Sequence, residues 1–259
     1  MKKEMTIVYD VHDGLYINLT NRCPCACTFC LRQTMDRVGN SGGLWLEHEP
    51  SFEEIAAAIS TRDLSRYSEV VFCGFGEPTE RLDVLLRTAD YIKSLSPDMK
   101  IRINTNGLGD LIHGKPIAPQ LTGRIDVVSI SLNTPNAQEY LRLTRSKFGE
   151  QSFDAMLRFA RDCVSAVHEV VMTTVSTTIT HEEEEQCRAI CAQIGARYRI
   201  RPWEDCPLIL QNTPPVLPHT GKAGIFLQKC MRNAQKRRPL CTAAERRFSY
   251  YLFFMIVLF

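Results

Sequence analysis

The chain has 259 residues, of which 44% are hydrophobic and 23% charged, a globular composition that excludes intrinsic disorder and fibrous architectures. With 31 basic and 29 acidic residues the net charge is +2, so binding to nucleic acid by bulk charge is not implied. Eleven cysteines are many, and the odd number fits poorly with a closed disulfide framework, which turns attention to metal or redox chemistry.

Lys2 and Lys3 run into Glu4 without the apolar core of a signal peptide, so the chain is expected to start in the cytosol. Thr6 to Leu19, with His12-Asp13-Gly14 in its middle, reads as a hairpin that feeds a first core strand, Leu15 to Leu19. Five more strands are expected, at Glu69 to Cys73, Lys100 to Asn104, Asp126 to Leu132, Glu169 to Val175 and Arg197 to Arg201. Between them lie helical stripes. Ser51 with Glu54 and Thr180 with Glu183 have the spacing of capping boxes. Leu82, Leu85, Leu86, Ala89 and Ile92 form one apolar face; Phe153, Met156, Leu157, Ala160, Val164 and Val167 form another. Cys187 and Cys191 fall on a buried helix face beside Ile190 and Ile194, while Cys163 and Cys73 read as core residues in the same way. Glu182 to Glu185 suit the first turn of a helix.

This alternation describes a parallel sheet wrapped by helices, either closed partly into a barrel or opened as a doubly wound sheet. In both, ligands gather at the carboxyl ends of the strands.

Directly after the first core strand, Cys23, Cys25, Cys27 and Cys30 fall within eight residues. Zinc sites usually draw ligand pairs from two turns, and no second pair is obvious here; closely spaced cysteines on one loop serve iron-sulfur clusters better. After the second strand comes Gly74-Phe75-Gly76-Glu77-Pro78, after the third Asn104-Thr105-Asn106-Gly107, and within the fourth Ser129-Ile130-Ser131-Leu132-Asn133. Each alone also reads as turn chemistry. Arg197, Arg199 and Arg201 alternate along the last strand, where same-side placement presents guanidinium groups to a carboxylate or phosphate, or else a solvent-facing edge.

The spacing Cys23-x-x-x-Cys27-x-x-Cys30, with Phe29 before the last cysteine, resembles the signature of the radical S-adenosylmethionine (radical SAM) superfamily. The run from Asn21 to Arg32 looks most like its TatD-associated members. The resemblance implies an α/β fold, a partial (β/α)6 TIM-type barrel of parallel strands behind the N-terminal hairpin. It also implies an enzyme in which Cys23, Cys27 and Cys30 hold a [4Fe-4S] cluster with one iron open to S-adenosylmethionine (SAM). Reductive cleavage of SAM would then give methionine and a 5′-deoxyadenosyl radical that takes hydrogen from a small-molecule or protein substrate. By the same resemblance Phe29, Gly74, Gly76, Glu77, Ser131 and Asn133 contact SAM, and an external donor such as a flavodoxin or ferredoxin supplies the electron. Cys25 is left over, as a neighbouring thiol that tunes or shields the site. A bulky residue at Gly76 is then expected to weaken SAM binding and leave the iron content intact. Around Val170 to Val175 the glycines common in relatives are missing, and no substrate acid or base is named. Two rivals are a glycyl-radical activating enzyme that acts on a partner protein, and a non-catalytic zinc-binding module that uses all four clustered cysteines.

The long connection from Leu31 to Pro50, with Gly39, Gly42, Gly43 and Trp45, suits a lid over substrate. From Cys206 the composition changes: residues 206–259 carry a net +7 against −5 for residues 1–205, and hold five of the 13 prolines. This places a core domain at 1–205 and a poorly structured, basic, proline-rich extension at 206–259 that is expected to have no catalytic role. The 12-residue apolar end from Phe248 is too short to cross a bilayer, which needs about 20 apolar residues.

Overall fold

The computed structural model describes residues 5–33, 35–38 and 41–201. Gly39, the boundary at 205/206 and the whole extension lie outside the described residues.

Strands β1 (Val8–Val11) and β2 (Gly14–Ile17) pair antiparallel, and His12 enters the turn between them at φ 54. Five further strands follow, all parallel to β2: β3 (Glu69–Phe72), β4 (Lys100–Thr105), β5 (Val127–Ser131), β6 (Glu169–Val175) and β7 (Arg197–Arg201). They form one sheet in the order β1-β2-β3-β4-β5-β6-β7, so each connection returns to the neighbouring strand. The helices are α1 (Phe52–Ser60), α2 (Leu82–Leu95), α3 (Gly109–His113), α4 (Ala118–Leu121), α5 (Ala137–Thr144), α6 (Gln151–Val164) and α7 (His181–Ile194). This is an α/β fold with six parallel strands in an open, partial barrel, as the sequence suggested.

Local chemistry explains the starts of two helices. Ser51 and Glu54 close a capping box at α1, and Thr180 and Glu183 another at α7, so each serine or threonine oxygen takes an orphan N–H while the glutamate returns the favour. On α2 the expected stripe is buried at Leu82, Leu85, Ala89 and Ile92. On α6 the core position near the end is taken by Cys163, whereas Val164 is exposed and lies against the turn at Gly195. The expected stripe drifted one residue too far there. Cys187 and Cys191 are buried on α7 as expected. Among the described residues no helix is long and apolar enough to cross a membrane.

Strand alternation sorts the two faces. Ile101 and Ile103 of β4 meet the helices in the main core, while Arg102 and Asn104 point to the inner face. A second apolar cluster, including Tyr9, Tyr16, Val71, Cys73 and Phe75, lies on that inner face. In a flat sheet five strand spacings would separate β2 from β7 by about 24 Å. Instead Arg199 of β7, whose pKa is lowered first by burial, lies within electrostatic reach of Arg102, Tyr16 and Glu69. The sheet therefore curls, and its inner face encloses a chamber.

Candidate active site

The loop after β2 carries the four clustered cysteines, and main-chain hydrogen bonds fix its path. Ala26 N–H donates to Thr144 O (2.9 Å), Thr28 N–H to Leu143 O (2.9 Å), and Lys147 N–H to Pro24 O (2.9 Å). The loop is thus stitched to the end of α5, where Arg145 at φ 47 turns the chain out of the helix. Arg32 Nη2 donates to Cys25 O (3.0 Å) and Gln33 Nε2 to Cys27 O (2.7 Å), so the loop's other side is also held.

Cys23, Cys27 and Cys30 are partly exposed, whereas Cys25 is buried at 4% exposure. The Cys25 thiol sits between its neighbours. Hydrogen bonds to Cys23 and then Cys27 raise its pKa, and the same contacts lower those of Cys23 and Cys27; burial raises that of Cys30. Asn106 Nδ2 approaches Cys23 Sγ at 3.8 Å and Cys25 Sγ at 3.9 Å.

Beside this loop runs the turn after β3. A Cβ added at Gly76 would stand 2.2 Å from Thr20 O and 2.6 Å from Arg22 O, and one at Gly74 would stand 2.0 Å from Asn18 Oδ1. At Gly76 the backbone that leads into Cys23 leaves no room for a side chain, and at Gly74 the Asn18 side chain occupies that space. A bulky residue at Gly76 would thus strike the backbone that leads into Cys23, which bears on the iron as well as on SAM.

Glu77, 3% exposed, ties the ends of β3 and β4 together. Its carboxylate accepts from Thr79 N (3.1 Å), Thr79 Oγ1 (2.8 Å), Thr105 Oγ1 (2.7 Å) and Asn106 N (2.7 Å). Burial pushes its pKa up, against these four bonds. Removing the carboxylate strands four donors in a dry place, so Glu77→Ala is expected to lower unfolding stability by about 3 kcal/mol or more in urea titrations. A loss below about 1 kcal/mol would show that water replaces it freely.

From the other side of the chamber, Asn133 enters at φ 65 with its amide nearly buried at 5% exposure. Its Oδ1 has no hydrogen-bond partner, and neither has the buried Ser129 Oγ.

All nine residues named from the sequence, Cys23, Cys27, Cys30, Phe29, Gly74, Gly76, Glu77, Ser131 and Asn133, line one open cavity. Cys25 and Asn106 line it too. Cys73, assigned from the sequence to the core, is buried but on the inner face, in the cavity wall beside Asn104. Its side alternates with Phe72, which is the one signal that finds it. Thr144 also lines the wall and carries no such signal, because it arrives from α5. Of the expected lid, Trp45 is 43% exposed and packs edge-on against the wall residue Phe75 (5.2 Å).

The chamber fits a cluster with a polar organic ligand. It offers four thiols on one wall and an unpartnered buried oxygen at Asn133. Among the described residues no three His, Cys, Asp or Glu side chains converge as ligands of a single metal ion. A [4Fe-4S] cube asks for no such convergence, since each thiolate reaches a different iron.

Comparison with known proteins agrees with this chemistry. The family model described as "Radical SAM superfamily" matches residues 17–194. The "Probable GTP 3′,8-cyclase" of Methanocella arvoryzae is 26% identical over 250 residues, 92% of this chain and 69% of that protein. The "GTP 3′,8-cyclase" of Lactiplantibacillus plantarum is 29% identical over 155 residues, 57% of this chain and 42% of that protein. Among solved structures, Streptococcus suis SuiB bound to S-adenosylmethionine aligns with a TM-score of 0.55 at 17% identity, over 76% of this chain and 42% of that one. A radical SAM methyltransferase from Sphaerobacter thermophilus aligns at 0.53 and 15% identity, over 75% of this chain and 57% of that one. The chain thus spans well under two thirds of most of these relatives, and the structural likeness speaks for the fold.

Proposed function

Because the chain belongs to the Radical SAM superfamily, whose enzymes use a [4Fe-4S] cluster and SAM, we propose that Cys23, Cys27 and Cys30 hold the cluster here and that the opposite wall of the same cavity holds SAM. The observation that carries this reading is the meeting of residues from four successive strand ends in one chamber. Family membership sets aside the non-catalytic zinc module. When bound, cluster and SAM together supply the one-electron cleavage that yields methionine and a 5′-deoxyadenosyl radical, which takes hydrogen from substrate.

The chain's own residues supply position and exclusion. The stitches from Ala26 and Thr28 to α5 hold the cysteine loop open towards the chamber. Cys25, packed in the core, shields the loop from within and leaves three thiols for iron. Gly74 and Gly76 keep the loop and the β3 turn in contact, and Glu77 fixes that turn to β4. Ser131 and Asn133 present short polar groups to the far side of SAM, and the unpartnered Asn133 Oδ1 accepts a hydrogen bond from it. Phe29 shields the cluster from water.

A flavodoxin or ferredoxin would deliver the electron, and the need to keep thiolates reduced supports a cytoplasmic place. The run Asn21 to Arg32 supports a place near the TatD-associated members. Because two relatives bear the name GTP 3′,8-cyclase, a nucleoside triphosphate is the first substrate to try.

Paramagnetic resonance of the dithionite-reduced, anaerobic protein tests the shared chamber. Addition of SAM should change the cluster's signal, because an iron gains a new ligand. An unchanged signal at saturating SAM would contradict the proposed pairing.

A further inference from the structure

We propose that Arg199 is the anchor of an anion site in the barrel chamber, which takes a carboxylate or phosphate group of the substrate. The proposal deepens the reading of the chamber as the place where substrate meets the radical, and it rests on that reading.

Register fixes the position first. Ser131 of β5 lies opposite Thr173 of β6, and Thr173 opposite Arg199 of β7, so the three form one row across the sheet. Ser131 lines the cavity, which sets the row on the inner face. On the same strand Tyr198 packs with the helix-side core and bonds Thr174 (2.6 Å), as alternation requires.

Charge then separates Arg199 from its neighbours. Arg102 is paired with Glu69 (2.5 Å) and also donates to Tyr16 OH (3.3 Å); Arg197 is paired with Glu169 (2.5 Å). Arg199 makes no ion pair with a described residue, and its Nε is buried without a hydrogen-bond partner. It also feels the repulsion of Arg102 and Arg197, which outweighs the attraction of the more weakly acting Tyr16 and Glu69. A partly desolvated guanidinium without an ion pair costs stability unless a counter-charge arrives. Its planar fork matches the two oxygens of a carboxylate or phosphate. The buried Ser129 Oγ, one step along the inner face of β5 from Ser131, is unpartnered as well, so a polar ligand group is called for on this wall.

The methionyl carboxylate of SAM has the same chemistry, but the structure favours a separate anion. Arg199 is not among the residues that line the cysteine cavity, and the groups it senses, Tyr16, Glu69 and Arg102, lie in the lower layer of the chamber.

The test uses the full chain with its cluster, kept anaerobic, and follows thermal unfolding by circular dichroism. Sodium pyrophosphate and sodium succinate are titrated separately against sodium chloride at matched ionic strength; SAM binding is measured in parallel. At least one probe should raise the melting temperature saturably, by about 3–6 °C at a tenfold excess over its dissociation constant. Which probe acts tells phosphate from carboxylate. Arg199→Met should melt no lower than the parent without probe and lose the shift, Arg199→Lys should keep part of it, and SAM affinity should be unchanged in both. Absence of a saturable shift with either probe, or a full shift in Arg199→Met, overturns the proposal. So does a parallel loss of SAM affinity, which gives the anion to SAM, or a lowered melting temperature in both variants, which makes Arg199 a structural residue. A protein that binds pyrophosphate through Arg199 but does not respond to SAM would instead refute the cluster reading and leave the anion site standing.

Discussion

Replacing Cys23, Cys27 or Cys30 by alanine is expected to remove essentially all cluster iron and sulfide, about four of each per chain, while Cys25→Ala keeps most of both. All four side chains line the same cavity, so proximity alone does not separate them. Burial does. Cys25 is 4% exposed, whereas the other three are partly exposed, although Cys23 and Cys27 rest against the same core. An alanine at 25 leaves a void of one sulfur atom, a modest packing loss on the order of 1 kcal/mol, and three ligands remain. An alanine at any of the other three leaves a cube held at two corners. Iron and sulfide analysis of the four anaerobically purified variants, with the resonance signal after reduction, checks this; equal dependence on all four cysteines would show that the ligand set is wrong.

Gly76→Ala is expected to be nearly as damaging, although it changes no ligand. The new methyl carbon would stand 2.2 Å from Thr20 O and 2.6 Å from Arg22 O, both backbone atoms of the segment that leads into Cys23. Arg22 O also accepts the Glu77 N–H (2.8 Å), so a shift that relieves the clash breaks that bond as well. Overpacking of this kind costs on the order of 2–3 kcal/mol, and the strain falls on the cysteine loop. Iron content should drop below about half of the parent's. Gly43→Ala, whose added carbon meets only Asp36 O at 3.9 Å, should stay within about 0.5 kcal/mol of it. Full iron with weakened SAM binding in Gly76→Ala would restore the simpler expectation that this glycine merely makes room for ligand.

What the sequence revealed follows from how local each signal is. Capping boxes at Ser51 and Thr180 depend on residues three apart, and both formed. The cysteine spacing lies within a single loop, and strand alternation placed Arg197, Arg199 and Arg201 on one face. Ser131 and Asn133 reached the cavity because the carboxyl ends of parallel strands share an edge. Less legible were contacts between distant segments. The stitches from Ala26 and Thr28 to Leu143 and Thr144 use main-chain atoms only, so no residue type announces them, and the short α5 lacked a long apolar stripe. The close approach at Gly74 is made by Asn18, more than fifty residues earlier. Strand ends shifted where turns begin: β2 stops at Ile17 and β3 at Phe72, which turns Cys73 from a strand residue into a wall of the chamber.

The most direct test of the central claim is anaerobic incubation of the reconstituted protein with SAM and dithionite, with 5′-deoxyadenosine measured by chromatography and mass spectrometry. The account predicts 5′-deoxyadenosine and methionine in equal amounts from the parent and from Cys25→Ala, and none above background from Cys27→Ala. A parent protein that carries a full, reducible cluster and binds SAM yet releases no 5′-deoxyadenosine, or a Cys27→Ala variant that releases as much as the parent, would contradict it.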